Sequence, residues 1–398
     1  MERYTRGFWA ARGVILLLLL LACYKLPPPA VSPEPSLTVF PGTVCPILTR
    51  LATTPVTPTT TTSPVPARQT TVSGIGIEHV YVTTPGSAAV SVVDGPGHRV
   101  IATITGNGLH SPTGIALGPE EKIYVANFFS PTLAVIDPRM NVITSIITLN
   151  WDELVGVAAS SEKIYVTSND GGVIFITPGQ NVAVKYIPLP GLSPSTVIAD
   201  ERRIYVAYVG LEPVYGGSHI AVLDGHSVRL VLDIQVSGME LELGRISYLR
   251  GGGTIHGLGL TASGQLYCIM AADRGYFLVI DAATGTVIQE REIPLQPDYY
   301  AFALDAQLAV APNGKVYIAN PGADTVLVFD PVAGEIVRTI PVGDQPTSIA
   351  IGTADLAYVT NQGDDTISVI NIMTDEIIGE PIHVGREPLG LVIYHPRD

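Results

Sequence analysis

Short apolar runs rich in Val, Ile and Tyr alternate along this chain with breaks of Gly, Pro, Asp and Asn. From Lys315 to Ile340 the runs VYIA, TVLVF and EIVRTI are cut by PGAD and DPVAG. Runs of this length and composition, bounded by turn formers, specify strands joined by tight turns. No long helical period accompanies them. PTSIAI after Gln345 and LDAQLAV before Ala311 supply a fourth short strand, so the unit is a four-stranded antiparallel sheet.

The unit repeats. An apolar residue followed by Tyr occurs at Tyr81, Tyr124, Tyr165, Tyr205, Tyr267, Tyr317 and Tyr358, in steps of 43, 41, 40, 62, 50 and 41 residues. Each Tyr strand is followed by a partner: AVSVVD, TLAVID, GVIFIT, HIAVLD, YFLVID, TVLVFD and TISVIN. Asp at the end of a partner strand can accept nearby backbone N–H groups, which is turn chemistry rather than catalysis. A four-stranded unit of about forty residues in tandem is the signature of a β-propeller. The expected fold is therefore all-β: seven blades, each a four-stranded antiparallel sheet. The first unit starts at its Tyr strand, EHVYVTT, with no inner strand before it, and the chain ends on REPLGLVIY, an inner strand with no Tyr strand after it. The C-terminal strand from Leu389 to Tyr394 is expected to close the ring beside Val80, hiding two sheet edges.

The GH and WD dipeptides of WD40 repeats are missing from the repeat positions. IYVAN, IYVTS, VYIAN and AYVTN, the last followed by Gln362, Gly363, Asp364 and Asp365, resemble the YVTN family of β-propeller repeats from about Ile75 onward. That resemblance implies the propeller and leaves function open, because the fold is a scaffold with many uses. Some YVTN-type propellers are thought to touch DNA.

In a propeller the B–C turns and D–A links share one face, and the A–B and C–D turns share the other. The repeat is stretched at Tyr208–Ser218, Ser237–Ile255 and Pro294–Leu304, all on the first face and over adjacent blades. These segments bring Tyr215, Arg245, Tyr248, Arg250, Tyr299 and Tyr300, with Glu212, Glu240, Glu242 and Asp298 among them. Tyr and Arg are favoured in binding surfaces, so a raised wall that contacts a ligand is expected here, suited to an anionic or carbohydrate-like group. The bland alternative is insertion tolerated on a stable ring. Gly251 to Gly253 add flexibility, not phosphate recognition, since no helix follows.

An enzymatic alternative, a metal-assisted lactonase or lyase, would need carboxylates at the channel mouth. Aligned inner strands place Thr113, Val155, Ser195, His256, Ala306, Thr347 and Leu389 in one ring without a carboxylate. Asp152, Glu153, Asp305, Asp344 and Glu387 lie one step outward and could take a divalent cation only if three converged. No cofactor is otherwise expected. His256 is the titratable member of the ring, a candidate ligand contact or acid–base group. Asn127, Asn169, Asn320 and Asn361 are read as serving B–C turns.

The chain has 398 residues and a formal net charge of −14, which disfavours nucleic acid as a partner. Its start, MERYTRGFWAARGVILLLLLLAC, places three Arg before a Leu run too short to span a bilayer comfortably. Residues 1–22 read as a secretory signal. LLAC resembles a bacterial lipobox, and in such signals the Cys, here Cys23, carries diacylglycerol. An ordinary signal or an uncleaved anchor is the alternative. Residues 23–74 are rich in Pro and Thr and read as an extended stalk, and residues 75–398 as the propeller. LTVFPGTVCPILTRL within the stalk is more apolar than a spacer requires. Cys45 lies in that stretch, Cys268 in a Tyr strand, and the three cysteines have no metal or disulfide spacing.

The expectation is a monomeric, lipid-anchored binding module outside the cytoplasm, at the cell surface or in the periplasm. Its partner would be an envelope protein, a carbohydrate or a small ligand, and its only membrane contact the N-terminal lipid. A surface-layer structural part is the third alternative. Cys23→Ala is expected to abolish lipid labelling and to leave the protein soluble or as unprocessed precursor. Unchanged labelling and membrane fractionation would sink the lipobox assignment.

Overall fold

The computed structural model describes residues 78–396, apart from 180–181, 190, 193, 211–216, 243–244, 250–252, 272–273, 297–307 and 354. The signal and stalk segments, Cys23 and Cys45 lie outside the described residues, as do Glu212, Tyr215, Arg250, Asp298, Tyr299, Tyr300, Asp305 and Ala306.

Seven antiparallel sheets follow one another along the chain, each with its Tyr strand second from the inside. The inner strands of blades 2 to 7 are Pro112–Leu117, Leu154–Ala159, Val197–Ala199, Thr254–Leu260, Leu308–Val310 and Pro346–Ile351. Blade 1 takes its inner strand from the chain end: Leu391–Tyr394 pairs with His79–Val82, Val82 opposite Leu391 and His79 opposite Tyr394. The fold is thus the expected seven-bladed propeller with the expected closure. Two blades depart from four unbroken strands. Gly191–Leu192 adds a short segment beside the inner strand of blade 4, and the outer strand of blade 7 is split into Glu376–Ile377 and Ile382–His383.

Burial explains the sequence pattern. The second and third strands are covered by a neighbouring blade on each face, so His79–Thr84 and Ala89–Asp94 are buried at every residue and show no alternation. Outer strands such as Arg99–Thr105 are largely solvated and more polar. Each core cluster spans two blades: Tyr81, Val90 and Val92 pack with Ile115, Ile123 and Ala134.

The repeated Tyr, Thr and Asn each make a contact that crosses a boundary in this ring. Tyr81 donates to Pro138 O at 3.0 Å and bonds Asn141, both in the C–D turn of blade 2. Tyr317 does the same to Ile372 O at 3.1 Å and to Asp375 in blade 7. The Tyr358 hydroxyl packs on Gly95, where a Cβ would come within 2.3 Å of it.

The threonine two residues later sits at a bulge. In blade 7, Pro346 pairs with Asn361 and Ile349 with Val359, so Thr347 and Ser348 both face Thr360. Thr83 Oγ1 accepts Gly390 N at 2.9 Å and donates to Thr113 O of blade 2 at 2.8 Å. Thr360 Oγ1 accepts Ser348 N at 2.8 Å and donates to Leu389 O of blade 1 at 2.9 Å. Gly114 has to be glycine, because a Cβ would meet Val155 O of blade 3 at 2.5 Å.

Asp at the partner-strand end does build turns. Asp224 Oδ1 accepts the N–H groups of His226 and Ser227, Asp281 Oδ1 those of Ala283 and Thr284, and Asp330 Oδ1 those of Val332 and Ala333.

A buried hydrogen bond contributes about 1 kcal/mol net, and more when its loss strands a buried partner. Tyr317→Phe is therefore expected to cost about 1–2 kcal/mol in urea unfolding. Val332→Thr, at a 98% exposed turn position, serves as the control and should be neutral. Equal stability of Tyr317→Phe and wild type would show that the tyrosine bond does not tie the blades.

Candidate functional site

The expected wall begins where the D–A link between blades 4 and 5 leaves the ring. The segment is not a plain loop. Gly238–Glu242 and Arg245–Leu249 form an antiparallel hairpin, with Met239 opposite Tyr248 and Glu242 opposite Arg245. Its root is knitted by serines. Ser237 Oγ donates to Gly253 O at 2.6 Å and accepts Ser218 N at 2.9 Å, while Ser218 Oγ also donates to Gly253 O, at 2.9 Å. Ser218 and Ser237 are buried, and Ile255 belongs to the core between blades 4 and 5. The boundaries expected from sequence, Ser237 to Ile255, were therefore too wide: both end residues belong to the ring, and the addition proper is the hairpin. Ser218 also terminates the stretched B–C connection of blade 4, so one hydrogen-bond knot holds the roots of two long segments.

His256 is the extra residue of the bulge in the inner strand of blade 5, where Ile255 pairs with Met270 and Gly257 with Ile269. Its Nε2 lies 3.0 Å from Thr254 Oγ1. Burial lowers its pKa to about 4. The ring is thus neutral at physiological pH and acts there as a hydrogen-bonding group, not a cation.

Four of the other described ring positions are structural, and Ser195 is tied through its backbone N–H, which donates to Ala207 O at 2.9 Å. Thr113 Oγ1 donates to Leu154 O at 3.1 Å, and Thr347 Oγ1 pairs with Thr360 Oγ1 at 2.9 Å. Val155 and Leu389 are buried. Of the acids one step outward, Glu153 is engaged through its carboxylate and Asp344 and Glu387 through their backbone N–H groups. Glu153 Oε2 accepts Asn169 Nδ2 at 2.8 Å, Asp344 N donates to Asp364 at 2.6 Å, and Glu387 N donates to Asp365 at 2.8 Å. Burial, then the charges of Glu153 and Asp152, raise the Asp170 carboxyl above its usual range. Among the described residues no group of three or more His, Cys, Asp or Glu is placed to hold a metal ion.

The asparagines do serve the turns, and more. Asn127 accepts His110 N at 2.9 Å, donates to Gly108 O at 2.9 Å and to Thr132 Oγ1 at 3.0 Å. Asn320 repeats this with Gln296 N at 2.6 Å and Thr325 Oγ1 at 3.3 Å. Each stitches the incoming D–A link to the B–C turn on the face that carries the hairpin. In blade 4 Tyr208 and His219 replace this Asn–Thr pair: their rings stack at 5.3 Å, and Asp233 accepts the Tyr208 hydroxyl at 2.8 Å. A position-by-position alignment of the blades would have flagged that departure.

No protein-family model matches this sequence, and no curated protein does. Solved structures match the fold. Apo AztD from Citrobacter koseri superposes with a TM-score of 0.54 at 13% identity, covering 81% of this chain and 99% of that one. Hydrazine synthase of Kuenenia stuttgartiensis gives 0.58 at 16% identity, covering 72% of this chain and 96% of that chain. The dihydro-heme d1 dehydrogenase NirN, solved with DHE, gives 0.52 at 14% identity, covering 79% and 74%. Identities this low show a shared propeller.

His256 is expected to titrate with an NMR midpoint near 4, against about 6.5 for an unperturbed histidine. Because its folded pKa lies below the unfolded one, the folded state binds fewer protons between these values, so this residue makes stability fall as pH drops from about 6.5 toward 4. His256→Gln should flatten that part of the pH–stability curve. A midpoint at or above 6 would mean the imidazole is solvated.

Proposed function

We propose that this chain is a binding module of the YVTN-repeat class, exported and held outside the cytoplasm by lipid on Cys23, with its contact surface on the hairpin-bearing face. One observation carries the reading: where the links between blades 1 and 2, 2 and 3, and 6 and 7 run short, the link between blades 4 and 5 grows into a paired hairpin, fixed at its root by the Ser218–Ser237–Gly253 knot. Chain that is merely tolerated needs no such root. The hairpin carries Arg245 and Tyr248, and the neighbouring stretched segments carry Tyr215, Arg250, Tyr299 and Tyr300. Aromatic area at low entropy cost and guanidinium forks suit an anionic or carbohydrate-like group, free or displayed on an envelope protein.

The repeat chemistry agrees with the YVTN class, because Tyr, Thr and Asn each make the same contact in more than one blade. The metal-assisted lactonase or lyase reading draws no support from the described channel mouth. NirN, which is an enzyme, shares the fold with this chain, so the propeller alone does not decide between binding and catalysis.

Replacing 239–249 by a short Gly–Ser turn, with Ser237 and Gly253 kept, is expected to leave the melting temperature nearly unchanged, since loop closure depends only weakly on length. Binding to the best ligand from a panel of acidic and neutral glycans should be lost. Full retention of binding in the folded variant would remove the hairpin from the contact surface. Ser237→Ala should cost about 1–3 kcal/mol by stranding buried partners.

A further inference from the structure

The opposite face carries a different departure from the repeat. At the junctions of blades 1–2 and 6–7 the Tyr hydroxyl is capped by the next blade's C–D turn, and in both the side-chain acceptor is the fifth turn residue, Asn141 or Asp375. These sit at φ 55° and 56°, left-handed values that Asn and Asp tolerate. At the junctions of blades 4–5 and 5–6 the same position is glycine, Gly285 and Gly334, at φ 75° and 74°, and at the junction of blades 3 and 4 it is Val228, at φ 56°. The valine side chain offers no acceptor, and a β-branched residue in this region is a strained outlier.

The consequence is space. Tyr165 turns its hydroxyl to Ser160 Oγ of its own blade at 3.1 Å, and it stands 3.6 Å from where a Gly225 Cβ would lie. A cavity of about 230 Å³ opens between the two blades, lined by Ser160, Lys163, Tyr165, Arg202, Gly225 and His226. That is room for about seven or eight waters at roughly 30 Å³ each.

Two cationic side chains, Lys163 and Arg202, line the cavity. Lys163 Nζ donates to Gly225 O at 2.5 Å and Lys185 Nζ to Val228 O at 2.8 Å, so two ammonium groups of blade 3 hold the strained turn of blade 4 from both ends. Arg202 and His226 are exposed at the mouth. Two carboxylates share the lining, Glu162 and Glu201. The Glu201 carboxylate is bound by the N–H and hydroxyl of Ser161.

We infer that the cavity between blades 3 and 4 is a binding site for a small oxyanion, a phosphate or carboxylate group, received by Lys163, Arg202 and His226, with the hydrogen-bonded Tyr165–Ser160 pair supplying one hydroxyl donor. A charge-assisted hydrogen bond from a guanidinium or ammonium is about twice as strong as a neutral one, so a small cavity can hold such a group. The site is independent of the hairpin surface, on the other face of the ring.

Thermal unfolding in millimolar inorganic phosphate tests it, with sodium chloride at matched ionic strength as reference and sodium acetate as a second arm. Phosphate is expected to raise the melting temperature above the chloride reference, as any ligand of the native state does. An equal rise in acetate supports a carboxylate ligand, and a rise in phosphate alone supports a phosphate ligand. Arg202→Ala, an exposed change, should lose the rise. Val228→Asn restores the acceptor for Tyr165 and suits the left-handed backbone, so it should melt higher than wild type without ligand and show no further rise with phosphate. No rise in either arm for the wild type, or a rise that survives in either variant, overturns the site.

Discussion

A propeller blade is a sheet with two apolar faces, and only another blade can cover each of them. Stability here is therefore collective. Every core cluster is shared between neighbours, and a ring left open would expose two such faces and two sheet edges. The pairing of Leu391–Tyr394 with His79–Val82 is the contact on which the other six junctions depend, because it alone joins the ends of the described chain. The same seam is reinforced by the buried Glu78 carboxylate, which accepts the N–H and hydroxyl of Thr353 from the A–B turn of blade 7 at 2.7 and 3.1 Å.

Within that constraint the repeat motif divides its work by depth. Tyr ties the outer turn of the next blade, Thr fills a bulge at the inner strand and bonds onward to the next inner strand, and Asn ties the link that enters its own blade. The three contacts act on one face, near the channel, and on the other face. Each replaces a bond to water with one inside the ring, worth only about 1 kcal/mol apiece.

Much of this was legible in sequence because it is local. Strand chemistry, turn formers, the Tyr spacing and the unmatched strand at each chain end fixed blade number and closure. What Tyr and Thr do was not legible, since their partners lie in the next blade, tens of residues away, as Tyr317 to Asp375 shows. The hairpin was read as a loop because its strand Gly238–Glu242 contains two glutamates and a glycine, a poor strand pattern made tolerable by pairing. His256 was placed in the channel-mouth ring, yet its neutrality follows from burial, which no spacing reveals. Asn169 was grouped with the turn asparagines, whereas the residue in the motif position of blade 3 is Ser168, whose Oγ donates to Asp152 O at 2.9 Å.

The ring imposes nearly the same demands at every junction, so it supplies its own baseline for function. A residue that satisfies the baseline is explained by architecture, however polar: Thr83, Thr113, Asn127 and Asn320 all face loops or the channel, and all are spent on blade contacts. A residue that violates the baseline at some cost is not explained that way. The hairpin between blades 4 and 5 adds ordered chain with a dedicated hydrogen-bond root, and Val228 takes a left-handed backbone that its counterparts Gly285 and Gly334 adopt without strain and that Asn141 and Asp375 use to accept a tyrosine hydroxyl. Both departures involve blade 4, one on each face of the ring. Neither contributes to closing it, and that is the physical ground for assigning them to recognition.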